Sequence, residues 1–177
     1  MSNANSKAAL VIGIGNQFRR DDGVGIAVAK TVRALRLPGV EVHERCGEGT
    51  DLIALWCDRS LVLVIDAVSS GAPVGTVHRF ELAAGQSVVP IPREPLDPAS
   101  TPDRPPAHIF RGTSHQIGLG EAIELGKLLG QLPSQLVIYG IESAEFRDGV
   151  GLSPLVAQAA AEVVARITAE CAEPTPR

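Results

Sequence analysis

The stretch AALVIGIGNQFRRDDGVGIAVAKTVRALRLPG, residues 8–39, decides the fold. Residues 8–14 form a short apolar run that ends in glycines, as a buried strand does before a loop. From Asp22 onward apolar residues recur at helical spacing until Pro38-Gly39 ends the pattern; they are Val24, Val28, Val32 and Leu35. The sequence therefore predicts a strand, a loop and a helix, which together form the first unit of an α/β protein.

Four further segments have strand patterns. Residues 40–46 alternate apolar with polar, which is typical of a strand near a sheet edge. Residues 61–66 (LVLVID) stay apolar up to a final carboxylate, which is typical of a central parallel strand. Residues 75–82 follow a connection too short for a helical crossover, so we expect them to run antiparallel. Residues 134–142 (SQLVIYGIE) supply the fifth strand.

Helical patterns alternate with these strands. A short helix is expected around residues 50–56. Thr113-Ser114 offer caps ahead of His115 for a helix whose apolar side is Ile117, Ile123, Leu125, Leu128 and Leu129. Ser153 as cap and Pro154 at the first helical position open a last helix with Val156, Ala160, Val163, Val164 and Ile167 facing inward. The alternation predicts a three-layer α/β/α sandwich with a mixed, mostly parallel sheet of about five strands, one of them antiparallel.

Length and composition limit the classes of protein that fit. The 177 residues predict one domain over 1–177, with frayed ends at 1–7 and 172–177 and a proline-rich loop at 88–107. A net charge of −4, no basic run and 3% aromatic residues argue against a nucleic-acid partner. Three cysteines without a C-x-x-C motif, and no apolar window of membrane-spanning length, predict a cytoplasmic protein with no membrane partner.

The expected sheet indicates where a ligand binds. In open α/β sheets ligands bind beyond the carboxyl ends of the strands where the strand order reverses, commonly between the first and third strands. The loop from Gly15 and the final Asp66 of the third strand both belong there. A dinucleotide fingerprint fits this loop poorly, because Phe18 replaces the third glycine and Asp21-Asp22 would repel a pyrophosphate. P-loop, H-E-x-x-H and G-x-S-x-G motifs are absent from the sequence.

Three side chains are candidate metal ligands. One of the two aspartates 21 and 22 is enough to cap the following helix, which leaves Asp22 available for a ligand, although capping alone also explains such residues. Asp66 closes a buried strand and needs a cation, a metal or several hydrogen-bond donors. His115 near a helix N-terminus stays neutral and able to ligate, although such histidines also have purely structural roles. Asp22, Asp66 and His115 together suit a borderline divalent ion and leave coordination positions open. His43 and His78, within strand patterns, are interpreted as surface or satisfied residues.

Four motifs together resemble the nickel-iron hydrogenase maturation endopeptidases. They are GIGN-x-x-x-x-DDG-x-G at 13–25, GEGT at 47–50, LVLVIDA at 61–67 and TSHQ-x-GL at 113–119, and the similarity covers almost the whole chain. The family's metal-contacting residues match Asp22, Asp66 and His115, which the resemblance implies are also catalytic. The family's first acid is sometimes glutamate. Cys46 stands where some relatives carry an aspartate, so a role for that acid does not carry over.

The resemblance implies a peptide-bond hydrolase. Its expected reaction removes a C-terminal extension from a hydrogenase large-subunit precursor after nickel insertion, with nickel carried by the substrate and used for recognition. We expect a monomer, and Arg19 and Arg20 are candidates to hold a substrate carboxylate. Two alternatives stay open: a non-catalytic nickel-sensing module that binds the same precursor, and a small Rossmann-like nucleotide binder that uses Glu44 for a ribose.

Overall fold

Residues 9–46, 49–83, 89–90 and 118–172 are described in a computed structural model of the chain. Their strands form one mixed sheet in the order β2-β1-β3-β6-β4-β5. The strands are β1 (Ala9–Ile14), β2 (Val40–Arg45), β3 (Leu61–Val68), β4 (Val77–Ala83), β5 (Val89–Pro90) and β6 (Gln135–Glu142). Strands β1, β2, β3 and β6 are parallel, and β4 runs antiparallel to β6. The predicted mixed, mostly parallel sheet with an antiparallel strand and an edge position for β2 is confirmed.

Within the described residues, four helices cover the two faces of this sheet. They are α1 (Val24–Leu35), α2 (Gly49–Trp56), α3 (Leu119–Leu128) and α4 (Pro154–Ala172), and a short 3₁₀ turn (Arg20–Gly23) leads into α1. Side chains of β3 alternate between the two cores: Leu63 and Ile65 pack with α1 and α4, whereas Val62 and Val64 pack with α2 and α3. The predicted three-layer sandwich is therefore confirmed. None of the described helices is both long and apolar enough to span a lipid bilayer.

The sequence misplaced several boundaries. Strand β3 continues two residues beyond Asp66, because Ala67 and Val68 still pair with β6. The segment 88–107, expected to be a loop, contributes β5, which pairs antiparallel with β4; its remaining residues lie outside the described ones. Helix α3 begins at Leu119 with an extended Gly118 as its N-cap. The predicted caps Thr113-Ser114 and the predicted ligand His115 lie outside the described residues.

Three leucines predicted on the apolar sides of helices are exposed. Leu35, Leu128 and Leu129 lie at the carboxyl ends of α1 and α3, where the chain turns away from the sheet. The inward face predicted for α4 is confirmed, since Val156, Ala160, Val163 and Ile167 are buried and Val164 packs against them. Periodicity identified the helices but did not show where each one leaves the core.

The strand order reverses between β1 and β3. From β1 the chain passes through α1 to β2 on one side, and then through α2 to β3 on the other side of β1. The adjacent connections therefore leave the carboxyl ends of β1 and β3 in opposite directions and open a crevice between them. This is the place at which the sequence predicted a ligand.

Candidate metal-binding active site

Helix α1 starts in direct contact with the ends of two strands. A Cβ atom added to Gly25 would lie 2.2 Å from the Ile14 carbonyl oxygen and 2.4 Å from that of Ile65. Only a residue without a side chain allows the helix to come so close to both β1 and β3. The residues just before the helix are consequently held at the carboxyl ends of both strands.

The loop between β1 and α1 closes on itself through its backbone. The Asn16 N–H donates to the Asp22 carbonyl at 3.2 Å, and the Arg19 N–H donates to the Asn16 carbonyl at 3.0 Å. Gly15 opens this loop with a φ of 136°, a conformation that other residues rarely adopt. The loop thereby fixes Asp22 at its base.

Asp21 has a structural role, and it differs from the expected cap of α1. Its side chain is fully buried and accepts hydrogen bonds from the Ser153 N–H at 2.7 Å, the Ser153 hydroxyl at 3.0 Å and the Glu145 N–H at 3.3 Å. Neither aspartate caps α1, whose N-cap is Gly23 without a side-chain bond. Asp21 instead joins the β1–α1 loop to the start of α4, and Asp22 is left for other contacts.

Asp22 is half-buried beside a cation. Its Oδ2 lies 3.8 Å from Arg19 Nη1, and its side chain is 23% exposed. Burial raises the pKa of Asp22, while the Arg19 guanidinium and a hydrogen bond from the Asn16 backbone oppose the rise. The guanidinium also donates to the Phe146 carbonyl at 2.9 Å, so Arg19 is already engaged within the protein.

Asp66 lies in β3 on the face that carries Val62 and Val64. Its Oδ1 accepts the Ala67 N–H at 2.8 Å. Burial raises the pKa of Asp66 to about 7; the Ala67 hydrogen bond opposes the rise and the charge of Asp22 adds to it. The structure therefore brings two of the three predicted site residues into electrostatic contact in one crevice. Both carboxyl groups are destabilised in their charged form there, which is the environment that a cation would relieve.

His115 lies outside the described residues. Within the described part of the chain, no group of three or more His, Cys, Asp or Glu side chains is arranged to hold a metal ion. Gly118 and Leu119, the described residues that follow His115, are buried, and Leu119 packs in the same core as Val62 and Val64 on the Asp66 face. Of the three predicted ligands, the structure therefore describes Asp22 and Asp66.

Sequence reasoning missed a polar cluster beside this crevice. Glu142 ends β6 and is only 3% exposed, yet its carboxylate accepts hydrogen bonds from Ser70, Gly71 and His78. The available signal was the same as for Asp66, namely a carboxylate that closes an apolar strand, LVIYGIE. The strand pattern around His78 predicts only a surface or satisfied residue, because it does not show what lies across the sheet.

Residues 101–170 match a family model described as hydrogenase maturation protease. The chain is therefore similar to hydrogenase maturation proteases over 70 of its 177 residues. The matched model and one relative, the hydrogenase 2 maturation protease of Escherichia coli, are both named as proteases.

Relatives and solved structures point to the same group of proteins. The chain is 28% identical to the hydrogenase expression/formation protein HoxM of Cupriavidus necator over 86% of its own length and 68% of HoxM. It is 27% identical to HupD of Thiocapsa roseopersicina over 83% of its own length and 60% of HupD. The hydrogenase maturating endopeptidase HybD of Escherichia coli has the same fold, with a TM-score of 0.65, 19% identity and coverage of 92% of this chain and 91% of HybD.

Proposed function

We propose that this protein is an endopeptidase that removes a C-terminal extension from the precursor of a nickel-iron hydrogenase large subunit after nickel has been inserted. The observation that carries the proposal is the meeting of Asp22 and Asp66 at the point where the strand order reverses. Similarity to hydrogenase maturation proteases supports the reaction class, and the two carboxylates support a cationic centre in the substrate. We further propose that the chain acts as a single-domain monomer.

The side chains at the crevice fit nickel. Carboxylate oxygens and an imidazole nitrogen suit a borderline divalent ion, and three protein ligands leave positions open. Asp22 and Asp66 supply the carboxylates. His115 is proposed as the third ligand because it lies three residues before Gly118, a distance that extended chain covers within about 10 Å. Leu119, which follows Gly118, packs on the sheet face that carries Asp66.

Nickel in this proposal belongs to the substrate. A precursor that contains nickel presents a cation to the two carboxylates, and a precursor without nickel leaves their repulsion and desolvation unrelieved. Docking on fixed ligands places one backbone bond of the precursor in the crevice, so recognition and orientation are one event. A bound divalent ion supplies polarisation of a carbonyl or of a water molecule.

The two arginines of the β1–α1 loop have different surroundings. Arg19 is held by Asp22 and the Phe146 carbonyl, so we assign it to the support of Asp22 rather than to a substrate carboxylate. Arg20 makes one long contact of 3.4 Å from Nη1 to the Val150 carbonyl, and its buried Nε has no hydrogen-bond partner within the described part of the chain. Arg20 therefore remains our candidate to bind a substrate carboxylate.

The test mixes purified protein with nickel-loaded and nickel-free precursor and follows the loss of the tail by mass. Nickel-loaded precursor should be shortened and nickel-free precursor should not. Asp22→Asn, Asp66→Asn and His115→Gln should each abolish cleavage, whereas exposed Asp148→Asn should cleave like the wild type. Full activity in all three site variants would refute the site assignment.

The same experiment separates the two alternatives. Binding of nickel-loaded precursor without any cleavage would favour the non-catalytic nickel-sensing module. A nucleotide binder is disfavoured by Glu44, the proposed ribose ligand, because its carboxylate is paired with Arg33 of α1. Failure of the protein to bind any dinucleotide would remove that alternative.

A further inference from the structure

The Glu142 side chain anchors the connection between β3 and β4 through hydrogen bonds. Its carboxylate accepts the Ser70 N–H at 2.8 Å, the Ser70 hydroxyl at 2.7 Å and the Gly71 N–H at 2.9 Å. These three bonds satisfy a buried carboxylate in the manner of a structural anchor. His78 is a further partner, with Nε2 at 3.3 Å from Glu142 Oε2. The anchoring of the loop therefore does not depend on His78.

His78 lies in the same cross-strand row as Asp66. Gly140 of β6 pairs with Asp66 of β3 on one side and with His78 of β4 on the other. Directly paired residues of neighbouring strands direct their side chains to the same face of a sheet, so Asp66 and His78 share the face covered by α2 and α3. Two strand spacings of about 4.8 Å put their Cα atoms roughly 10 Å apart. That separation accommodates one peptide unit between a bound cation and an imidazole.

The residue between them has no side chain. A Cβ added to Gly140 would lie 2.9 Å from a Val68 methyl carbon and 3.7 Å from the His78 Cβ. Val68 therefore packs against Gly140, and no side chain at position 140 separates Asp66 from His78. His78 itself is 26% exposed, and within the described part of the chain its Nδ1 has no hydrogen-bond partner. Its ring is stacked on Phe80, with centroids 6.3 Å apart, which restricts its orientation.

We propose that His78 is the catalytic proton-transfer residue of peptide hydrolysis and that Glu142 is its positioning residue. This inference rests on the proposed endopeptidase function. Glu142 accepts the Nε2 proton of the neutral ring and so leaves the Nδ1 lone pair available, in the way that a buried carboxylate selects one tautomer of a catalytic histidine.

The proton balance closes without any further reagent. Nδ1 accepts a proton from the water molecule whose oxygen bonds to the scissile carbonyl carbon. The carbon–nitrogen bond then breaks with its electron pair going to nitrogen, and the imidazolium gives the same proton to that nitrogen, which leaves as an amine. His78 returns to its neutral form, and one water molecule is consumed for each peptide bond cut.

Two substitutions at His78 distinguish catalysis from a structural contact. His78→Gln keeps a side-chain donor for Glu142 but cannot carry the proton, and His78→Ala leaves a space that exogenous imidazole can fill. The matched control is His43→Gln, because His43 is 27% exposed and also contacts a glutamate through Nε2, but lies on the edge strand β2. Each variant is assayed for kcat and KM on nickel-loaded precursor, and its melting temperature is recorded.

We expect His78→Gln to melt within a few degrees of the wild type and to lose kcat by about a hundredfold or more with little change in KM. Imidazole should restore part of the activity of His78→Ala, and His43→Gln should cleave normally. Near-normal kcat in His78→Gln, a loss confined to KM, or no rescue by imidazole would each overturn the role of His78 while leaving the peptidase function intact. Failure of the wild-type protein to cleave the loaded precursor would instead remove the proposed function, and this inference with it.

Discussion

Replacing Asp66 with asparagine should stabilise the metal-free protein at neutral and alkaline pH. The folded protein raises the pKa of Asp66 from 3.8 to about 7, chiefly by burial and further by the charge of Asp22. Between these two values the folded state holds a proton that the unfolded state has lost. The free energy of unfolding of the wild type therefore falls as the pH rises from about 4 to about 7. Asparagine keeps an oxygen for the Ala67 N–H and never ionises, so the variant avoids this loss.

The magnitude follows from the two pKa values. The interval from 3.8 to about 7, at about 1.36 kcal/mol for each pKa unit, corresponds to a maximum of about 4 kcal/mol. Because the side chain retains some exposure to solvent, we expect a gain of about 2–4 kcal/mol for Asp66→Asn at pH 8. The difference between variant and wild type should be near zero at pH 4, grow through the interval and level off above pH 7.

Urea denaturation of both proteins in a metal chelator, at pH values from 4 to 8.5, measures this difference. Asp148→Asn, a change of the same kind at an exposed position, serves as the control and should show no comparable gain. In the Asp22→Asn background the gain from Asp66→Asn should shrink, because part of the repulsion is gone. An Asp66→Asn protein that is no more stable than the wild type at pH 8 would show that the carboxylate is not strained in the crevice.

Two further pairs of substitutions test how the crevice is built. Gly25→Ala would put a methyl group 2.2 Å from the Ile14 carbonyl oxygen, so we expect the free energy of unfolding in urea to fall by more than about 3 kcal/mol. Gly39→Ala is the control, because the added carbon meets nothing within 4 Å. Since φ is 71° at Gly39, this change should still cost about 1–2 kcal/mol. Asp21→Ala should lower the free energy of unfolding by about 2–4 kcal/mol, because the buried Ser153 donors lose their acceptor. Asp22→Ala should abolish cleavage without such a loss of stability. Equal stability losses at the two positions would contradict the separate roles assigned to them.

Much of the fold could be predicted from local pattern. The apolar run at 61–66 and the alternation at 40–46 distinguish a central strand from an edge strand because burial on two faces or one leaves different patterns. The short connection before Val77 made β4 antiparallel. Helix ends were less predictable, since Leu128 and Leu129 continue an apolar pattern beyond the point where the sheet beneath α3 ends.

The site was partly predictable for a different reason. Asp22 precedes a helix, and Asp66 interrupts a buried strand. Burying a charged carboxylate costs free energy, so a carboxylate at such a position indicates a function. Their closeness depends on strand order, which the α/β alternation predicts only in general terms. Asp21 accepts a hydrogen bond from Ser153, which is far away in the chain. Asp66 and His78 share a row only because both of their strands pair with β6 at Gly140. Both arrangements depend on contacts between distant segments. No local pattern contains that information.

The most direct test of the account is the position of nickel in crystals of this protein soaked with the ion, located by anomalous diffraction at the nickel edge. The account predicts one nickel within about 2.0–2.2 Å of a carboxylate oxygen of Asp22, a carboxylate oxygen of Asp66 and a ring nitrogen of His115, with at least one position open. Nickel bound elsewhere, or a His115 ring too distant to share an ion with the two aspartates, would contradict it.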